Sequence, residues 1–196
     1  LPAKQVKHFS AITDPKRVGE LMRMIDGYQG TVVTLAALKL MPLVFVRSLE
    51  LRQAKWNDIN LEEGKWQFTI SKTTTDHAVP LSKQAIAILS DLYPYTKQYE
   101  YVFYSEASSS KFLSENTLAS ALRKLGIPKE EMSVHGFRAM ARTLCHERLG
   151  TRPEVIEHQL GHKVPDALGQ AYNRTRFMDD RIQMMQDWAD YLDTLR

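Results

Sequence analysis

Between residues 56 and 80 this 196-residue chain changes its hydrophobic periodicity, and no other feature limits its possible folds as strongly. On either side, apolar residues recur at every third or fourth position, which is typical of amphipathic helices. Inside the region they occur in short runs interrupted by Asn60 and Gly64, as in a small antiparallel sheet. The predicted strands are residues 55–59, 66–71 and 77–80, with an exposed hairpin turn over 72–76. The sequence therefore predicts a mainly α fold with a small antiparallel β-sheet (α+β).

Helices are predicted before and after this sheet. Asp14 can cap a helix that has Pro15 at its first position, and Gly27 and Gly30 stop it. An apolar helix over residues 31–41 follows, and Pro42 is expected to break it. Further helices are predicted over residues 47–54, 82–92, 114–125, 133–149, 153–160 and 178–192.

The composition fits one globular domain, since 43% of the residues are hydrophobic and 25% are charged. The opening residues contain Pro2 and several cationic or histidine side chains, and they have little apolar periodicity. Residues 1–12 are therefore expected to be a linker from a missing N-terminal region. Residues 13–196 are expected to form the domain itself, with a C-terminal helix over 178–194.

Charge and cysteine content exclude several classes of protein. A formal net charge of +3 is compatible with a polyanionic partner but does not require one. The single cysteine, Cys145, excludes an internal disulfide framework and a thiolate zinc site, and it indicates a reducing compartment. The longest apolar stretch, residues 31–46, contains Lys39 and Pro42, and no signal peptide is recognisable. We expect a soluble intracellular protein with no membrane partner.

Three polar clusters occur where a core-building pattern would not place them. In the first, Arg47 precedes Glu50 by three residues, so the two can pair on a helix and fix the guanidinium. In the second, His135 and Arg138 follow Ser133, a plausible N-cap, and a helix N-terminus with these groups attracts phosphate. Taken alone, each cluster also fits an ordinary surface ion pair or a hydrogen-bonded histidine.

The third cluster contains Gln159, Leu160, Gly161 and His162, and Tyr172 follows ten positions after the histidine. Tyr172 is one tyrosine among eight, so taken alone it is better explained as an anchor for helix packing than as a reactive group. His158 lies four residues before His162 and is interpreted as structural.

No metal or nucleotide cofactor is expected. The histidines at positions 135, 146, 158 and 162 have no recognised ligand spacing, and their neighbours are richer in arginine than in carboxylate. Arginines repel a metal ion and attract phosphate. The glycines form no phosphate-cradling loop, which argues against ATP dependence.

Together and in this order, the clusters resemble the signature of the tyrosine recombinases of the phage integrase family. That signature has an arginine, then glutamate and leucine, then Trp-x-Asp-Ile, as at Arg47, Glu50 and residues 56–59. Its hairpin lysine corresponds to Lys72, which precedes the His-x-Val-Pro-Leu-Ser run of residues 77–82. Its His-x-x-Arg box matches His135 and Arg138. Its Leu-Gly-His box matches residues 160–162, and its nucleophile matches Tyr172. The segments HFSAITDP and AYNRTRFMDDRIQMMQDWADYL are similar to those of prophage and genomic-island integrases.

The resemblance implies a catalytic domain that cleaves and rejoins DNA through a 3′-phosphotyrosyl intermediate. Arg47 and Arg138 would clamp the phosphate, while His162 would donate a further hydrogen bond. His135 would assist proton removal from the nucleophile Tyr172, and Lys72 would protonate the departing 5′-oxygen. Glu50 would orient an arginine, and His77 is expected to be structural. Two segments depart from the family pattern: residues 48–49 lack the frequent Pro-Gly pair, and residues 73–75 lack the usual basic residue.

The implied partner is double-stranded DNA at attachment sites, bound as a tetramer and with accessory DNA-bending proteins. The implied location is the bacterial cytoplasm, at the nucleoid. The last helix could contribute to assembly through an apolar stripe, although packing on its own domain is the simpler expectation. The stripe comprises Met178, Ile182, Met185, Trp188 or Ala189, and Leu192.

Two other functions remain open from the sequence. A type IB topoisomerase-like domain would share the tyrosine chemistry but would relax supercoils without a partner site. A catalytically inactive DNA-binding module would keep the fold, but it would not need the complete set of catalytic residues.

Overall fold

The computed structural model describes residues 10–70, 75–108, 110–162 and 177–196. Within these ranges the chain is mainly helical with one three-stranded antiparallel sheet of order β1-β2-β3, which confirms the predicted fold class. The strands are β1 Ile59–Asn60, β2 Lys65–Ile70 and β3 Thr75–Pro80. The helices are α1 Pro15–Asp26, α2 Val32–Val44, α3 Ser48–Arg52, α4 Lys83–Thr96, α5 Glu115–Lys124, α6 Gly136–Leu149, α7 Pro153–Gln159 and α8 Met178–Leu195.

Helix α2 is the centre of the domain, and it contacts α1, α3, α4, α5, α6 and α8. The prediction that Pro42 breaks this helix is wrong, because the helix continues to Val44 and ends at Phe45, whose φ is 60°. Proline removes one backbone hydrogen bond, and here the burial of its neighbours Met41 and Leu43 in the core offsets that loss. Among the described helices, none is both long and apolar enough to cross a membrane.

The first predicted strand is also wrong. Residues 56–58 form a 3-10 turn, and only Ile59–Asn60 pair with β2. The cause is the side chain of Trp56, whose indole nitrogen donates to Thr96 Oγ1 at 3.2 Å and whose ring packs edge-on against Tyr93. These contacts hold the segment against α4 rather than beside the sheet.

The β2–β3 hairpin is longer than predicted, because residues 75 and 76 belong to β3 instead of the turn. The register pairs Trp66 with Val79 and Ile70 with Thr75. Residues 71–74, and with them Lys72, lie outside the described residues.

Local side-chain contacts help to fix the starts of α1 and α6. The carboxylate of Asp14 accepts from the amide of Arg17 at 2.9 Å, as predicted for α1. Helix α6 begins at Gly136 rather than at residue 133, but the Ser133 hydroxyl still accepts from the Gly136 amide at 3.0 Å. A Cβ at Gly136 would lie 2.2 Å from the Ser10 carbonyl oxygen, so this glycine permits the chain to cross closely at the start of α6.

Helix α8 packs on its own domain, against α1, α2, α6, α7 and β3. Within the predicted stripe, Ile182 is misplaced because it is 52% exposed. Arg181 and Met184 are buried instead. Met178 is only half-buried, whereas Met185, Trp188, Ala189 and Leu192 are buried as expected.

The indole of Trp188 provides a test of how α8 is held. Its nitrogen donates to the Pro42 carbonyl at 2.9 Å, whereas the equally buried indole nitrogen of Trp66 has no hydrogen-bond partner among the described residues. Both substitutions to phenylalanine remove similar volume, but only Trp188→Phe leaves a buried carbonyl unpaired. We expect Trp188→Phe to lower the free energy of unfolding by about 1–3 kcal/mol more than Trp66→Phe, measured by urea denaturation. Equal losses would contradict this assignment.

Candidate active site

The guanidinium of Arg138 joins the ends of several helices. Arg138 lies in the first turn of α6, is 4% exposed, and donates to the carbonyl of Phe45 and, at 2.9 Å, to that of Leu160. These carbonyls lie at the C-terminal ends of α2 and α7. Burial, together with the nearby charge of Arg47, lowers the pKa of Arg138 to about 10, so the group remains cationic at neutral pH.

Arg47 is fixed by Glu50, as the spacing predicts. The Glu50 carboxylate accepts from the Arg47 amide at 2.7 Å and from its guanidinium at 2.8 Å. The carboxylate side chain is only 8% exposed, while Arg47 is 26% exposed. The pair is therefore not an ordinary surface ion pair: a largely buried acid holds a guanidinium that still reaches solvent.

The Leu-Gly-His sequence forms the C-terminal motif of α7. Gly161 has a φ of 66°, its amide donates to the His158 carbonyl, and the amide of His162 donates to the Glu157 carbonyl, both at 3.0 Å. This is a Schellman motif, which favours glycine at the left-handed position. A Cβ at Gly161 would also lie 2.7 Å from Cδ1 of Ile70. The glycine therefore sets where the His162 backbone lies.

The imidazole of His162 lies between two charged groups. Its Nε2 is 3.2 Å from the Arg138 guanidinium, and its Nδ1 is 2.5 Å from the Glu157 carboxylate. The other Glu157 oxygen accepts from Arg142 at 2.6 Å. Sequence reasoning missed Glu157, although its place five residues before the histidine, in the same helix-ending motif, is a usable signal.

His135 is the N-cap residue of α6, three residues before Arg138. Burial lowers the pKa of His135, and the positive charges of Arg138 and Arg47, together with His162, lower it further. The ring is therefore neutral at neutral pH and can accept a proton.

A buried hydrogen-bond network connects this cluster to α8 and β3. Arg181 donates to the amide oxygen of Gln159 at 2.9 Å and to the Ala78 carbonyl, while His77 Nε2 lies 3.1 Å from the Gln159 carbonyl. Burial and the charge of Arg181 lower the pKa of His77 to about 3. Sequence reasoning named Gln159 in the third polar cluster but missed Arg181, because the contacts of Arg181 join distant elements.

The structure thus brings Arg47, Glu50, His135, Arg138 and His162 to one place. Lys72 and Tyr172, the other predicted site residues, lie outside the described residues. Within the described ranges, no three His, Cys, Asp or Glu side chains are grouped as a metal ion would need.

The comparisons with known proteins identify the family. The model of the Phage integrase family matches residues 12–178. The protein IntB of Escherichia coli (strain K12) is 37% identical over 198 residues, which cover 92% of this chain and 50% of that protein. The integrase of Enterobacteria phage P4 is 35% identical over 212 residues, which cover 100% of this chain and 48% of that protein. The chain belongs to the phage integrase family, and it spans about half the length of these relatives.

Solved structures confirm the fold. The integrase from mycobacterium phage Brujita superposes with a TM-score of 0.70 over 100% of this chain and 66% of that one, at 14% sequence identity. A lambda integrase dimer bound to a COC′ core site gives a TM-score of 0.60 over 89% of this chain and 51% of that one, at 20% identity. The architecture is therefore that of a tyrosine recombinase catalytic domain.

Two glycines allow the packing around His162 to be tested. Gly161 and Gly150 both have positive φ at a helix end, but a Cβ at Gly150 would have no atom within 4 Å. Gly150→Ala should therefore show only the conformational cost, about 1 kcal/mol. Gly161→Ala should lose more free energy of unfolding, because the new methyl group must displace Ile70. Equal losses in urea denaturation would argue against that contact.

His77 should make stability depend on pH. Its pKa falls from 6.5, the ordinary value, to about 3 in the folded chain, so the unfolded chain binds a proton that the folded chain does not. Stability from this group is complete above pH 6.5 and falls as the pH is lowered toward 3, by about 1.4 kcal/mol per pH unit. His77→Gln should reduce the slope of unfolding free energy against pH below neutrality. A smaller slope should remain in this variant, because the lowered pKa of His135 acts in the same direction. If the slope is unchanged, His77 does not contribute to the pH dependence of stability.

Proposed function

We propose that this protein is a site-specific DNA recombinase that integrates or excises a mobile element through a 3′-phosphotyrosyl intermediate. One observation carries the proposal: two fixed guanidinium groups, Arg47 and Arg138, converge with His162 and a neutral His135. Such a cluster of cationic and hydrogen-bonding groups suits the charged, non-bridging oxygens of a phosphodiester under attack.

In the proposed cleavage step, the phenolic oxygen of Tyr172 attacks phosphorus, and the bond to the 5′-oxygen breaks. His135 receives the phenolic proton, and Lys72 gives a proton to the departing 5′-oxygen. Arg47, Arg138 and His162 stabilise the charge that develops on the non-bridging oxygens. The roles of Lys72 and Tyr172 rest on the family resemblance.

The reverse step rejoins DNA. The phosphotyrosyl bond conserves the energy of the broken phosphodiester, so a 5′-hydroxyl from the same or another strand can attack it and release Tyr172. No nucleotide needs to be hydrolysed. Exchange occurs when the attacking hydroxyl belongs to a second DNA site.

The proposed partner is double-stranded DNA at an attachment site, in the bacterial nucleoid, where DNA-bending proteins can join the complex. Lambda integrase has been solved as a dimer on a core site and as a tetramer on a Holliday junction. We extend the tetramer to this chain as part of the proposal. Because α8 packs on its own domain, a contact of α8 with a neighbouring protomer would use its outer face, where Ile182 is exposed.

The nucleophile is tested with a nicked duplex that carries the attachment site, followed by denaturing gel analysis. A nick beside the cleavage point lets the short strand diffuse away and traps the covalent adduct. Tyr172→Phe should abolish the adduct, while DNA binding, measured by gel shift, is retained. Tyr95→Phe, a control at a 61% exposed tyrosine, should form the adduct normally. An adduct that persists in Tyr172→Phe would refute the assignment, and supercoil relaxation without strand exchange would favour a topoisomerase.

A further inference from the structure

Glu157 binds His162 at two places. Its backbone carbonyl accepts from the His162 amide at 3.0 Å, and one carboxylate oxygen lies 2.5 Å from Nδ1 of the ring. The second carboxylate oxygen accepts from Arg142 at 2.6 Å. The Glu157 side chain is 24% exposed, so its carboxylate is partly buried but still reaches solvent.

These contacts select one tautomer of the His162 ring. Burial alone would raise the pKa of Glu157, but the hydrogen bonds from His162 and Arg142 outweigh it and lower the pKa, so the carboxylate is ionised and can only accept. The nitrogen facing Glu157 must therefore carry the hydrogen. On the other side, the guanidinium of Arg138 can only donate, so Nε2 presents its lone pair.

We infer that Glu157 is a positioning residue for His162, whose carboxylate fixes the ring as the Nδ1–H tautomer with Nε2 directed toward Arg138. The inference deepens the proposed function and rests on it for its effect on catalysis. Nε2 is the ring atom that would face the scissile phosphate. When His162 donates from Nε2, the ring must carry a second proton, and Glu157 supplies the negative charge beside it.

The structure also explains why an amide cannot replace this carboxylate. His162 and Arg142 each donate to a separate oxygen of Glu157. Glutamine has one oxygen and one NH2 group that only donates, so one of the two donors loses its acceptor. Glu157→Gln therefore keeps the shape of the side chain but removes the negative charge beside the ring and one of the two acceptors.

The matched control is Glu154→Gln, the same substitution on the same helix. Glu154 pairs with Arg152 at 3.5 Å, and its side chain is 39% exposed. Both variants are compared with the wild-type chain at equal folded fraction, checked by urea denaturation.

The first measurement is a long-range ¹H–¹⁵N spectrum of histidine-labelled protein without DNA, at neutral pH. We expect His162 to show a protonated Nδ1 and an unprotonated Nε2 in the wild type and in Glu154→Gln. Glu157→Leu, which offers no acceptor to Nδ1–H, should lose this pattern. An unprotonated Nδ1 in the wild type, or the same pattern in Glu157→Leu, would overturn the inference whether or not the protein is a recombinase.

The second measurement is the rate of covalent adduct formation on the nicked duplex. Glu157→Gln should lower the rate about ten- to a hundredfold, which is no more than the loss of the His162 hydrogen bond to the transition state would cause. It should change DNA affinity by less than about twofold. In a His162→Ala background, Glu157→Gln should have no further effect on the rate, because the imidazole that Glu157 positions is absent. An equal loss in both backgrounds would overturn the inference. Absence of any adduct in the wild type would contradict the proposed function, while the spectrum would still decide the tautomer.

Discussion

The buried guanidinium of Arg138 is the interaction on which the core and the site both depend. A charge in the interior is costly unless fixed dipoles meet it, and here the carbonyls of Phe45 and Leu160 do so at the C-terminal ends of two helices. The left-handed backbone of Phe45 ends α2 at the residue whose carbonyl accepts from this guanidinium. The site and the core are therefore not separate parts of the structure, because Arg138, the central residue of the site, also connects α2, α6 and α7.

Local chemistry made a large part of this molecule predictable. The cap at Asp14 and the pairing of Arg47 with Glu50 depend on residues three apart in sequence, so spacing alone indicates them. The prediction of the first strand failed because Trp56 contacts Thr96 of α4, forty residues away, and no local pattern encodes that contact. Family order located His135, Arg138 and His162, but nothing in that order indicated the carboxylate that orients the imidazole.

The last helix illustrates a second limit of sequence reasoning. Apolar spacing placed Ile182 inside, yet the buried neighbour is Arg181, which finds acceptors on Gln159 and Ala78. Hydrogen-bond acceptors on other elements compensate the hydration that Arg181 loses on burial, so the arginine is buried while its isoleucine neighbour is exposed. These acceptors belong to α7 and β3, so the register of α8 is set by polar contacts as well as by its apolar face.

The close approach at Gly161 has a mechanical consequence for the sheet. The position where a Cβ would lie is 2.7 Å from Ile70 at the end of β2 and 3.8 Å from the ring of His77 on β3. The strand ends that lead into residues 71–74 therefore rest against the turn that carries His162. The end of the β2–β3 hairpin and the turn that carries His162, although distant in sequence, therefore share one packing contact.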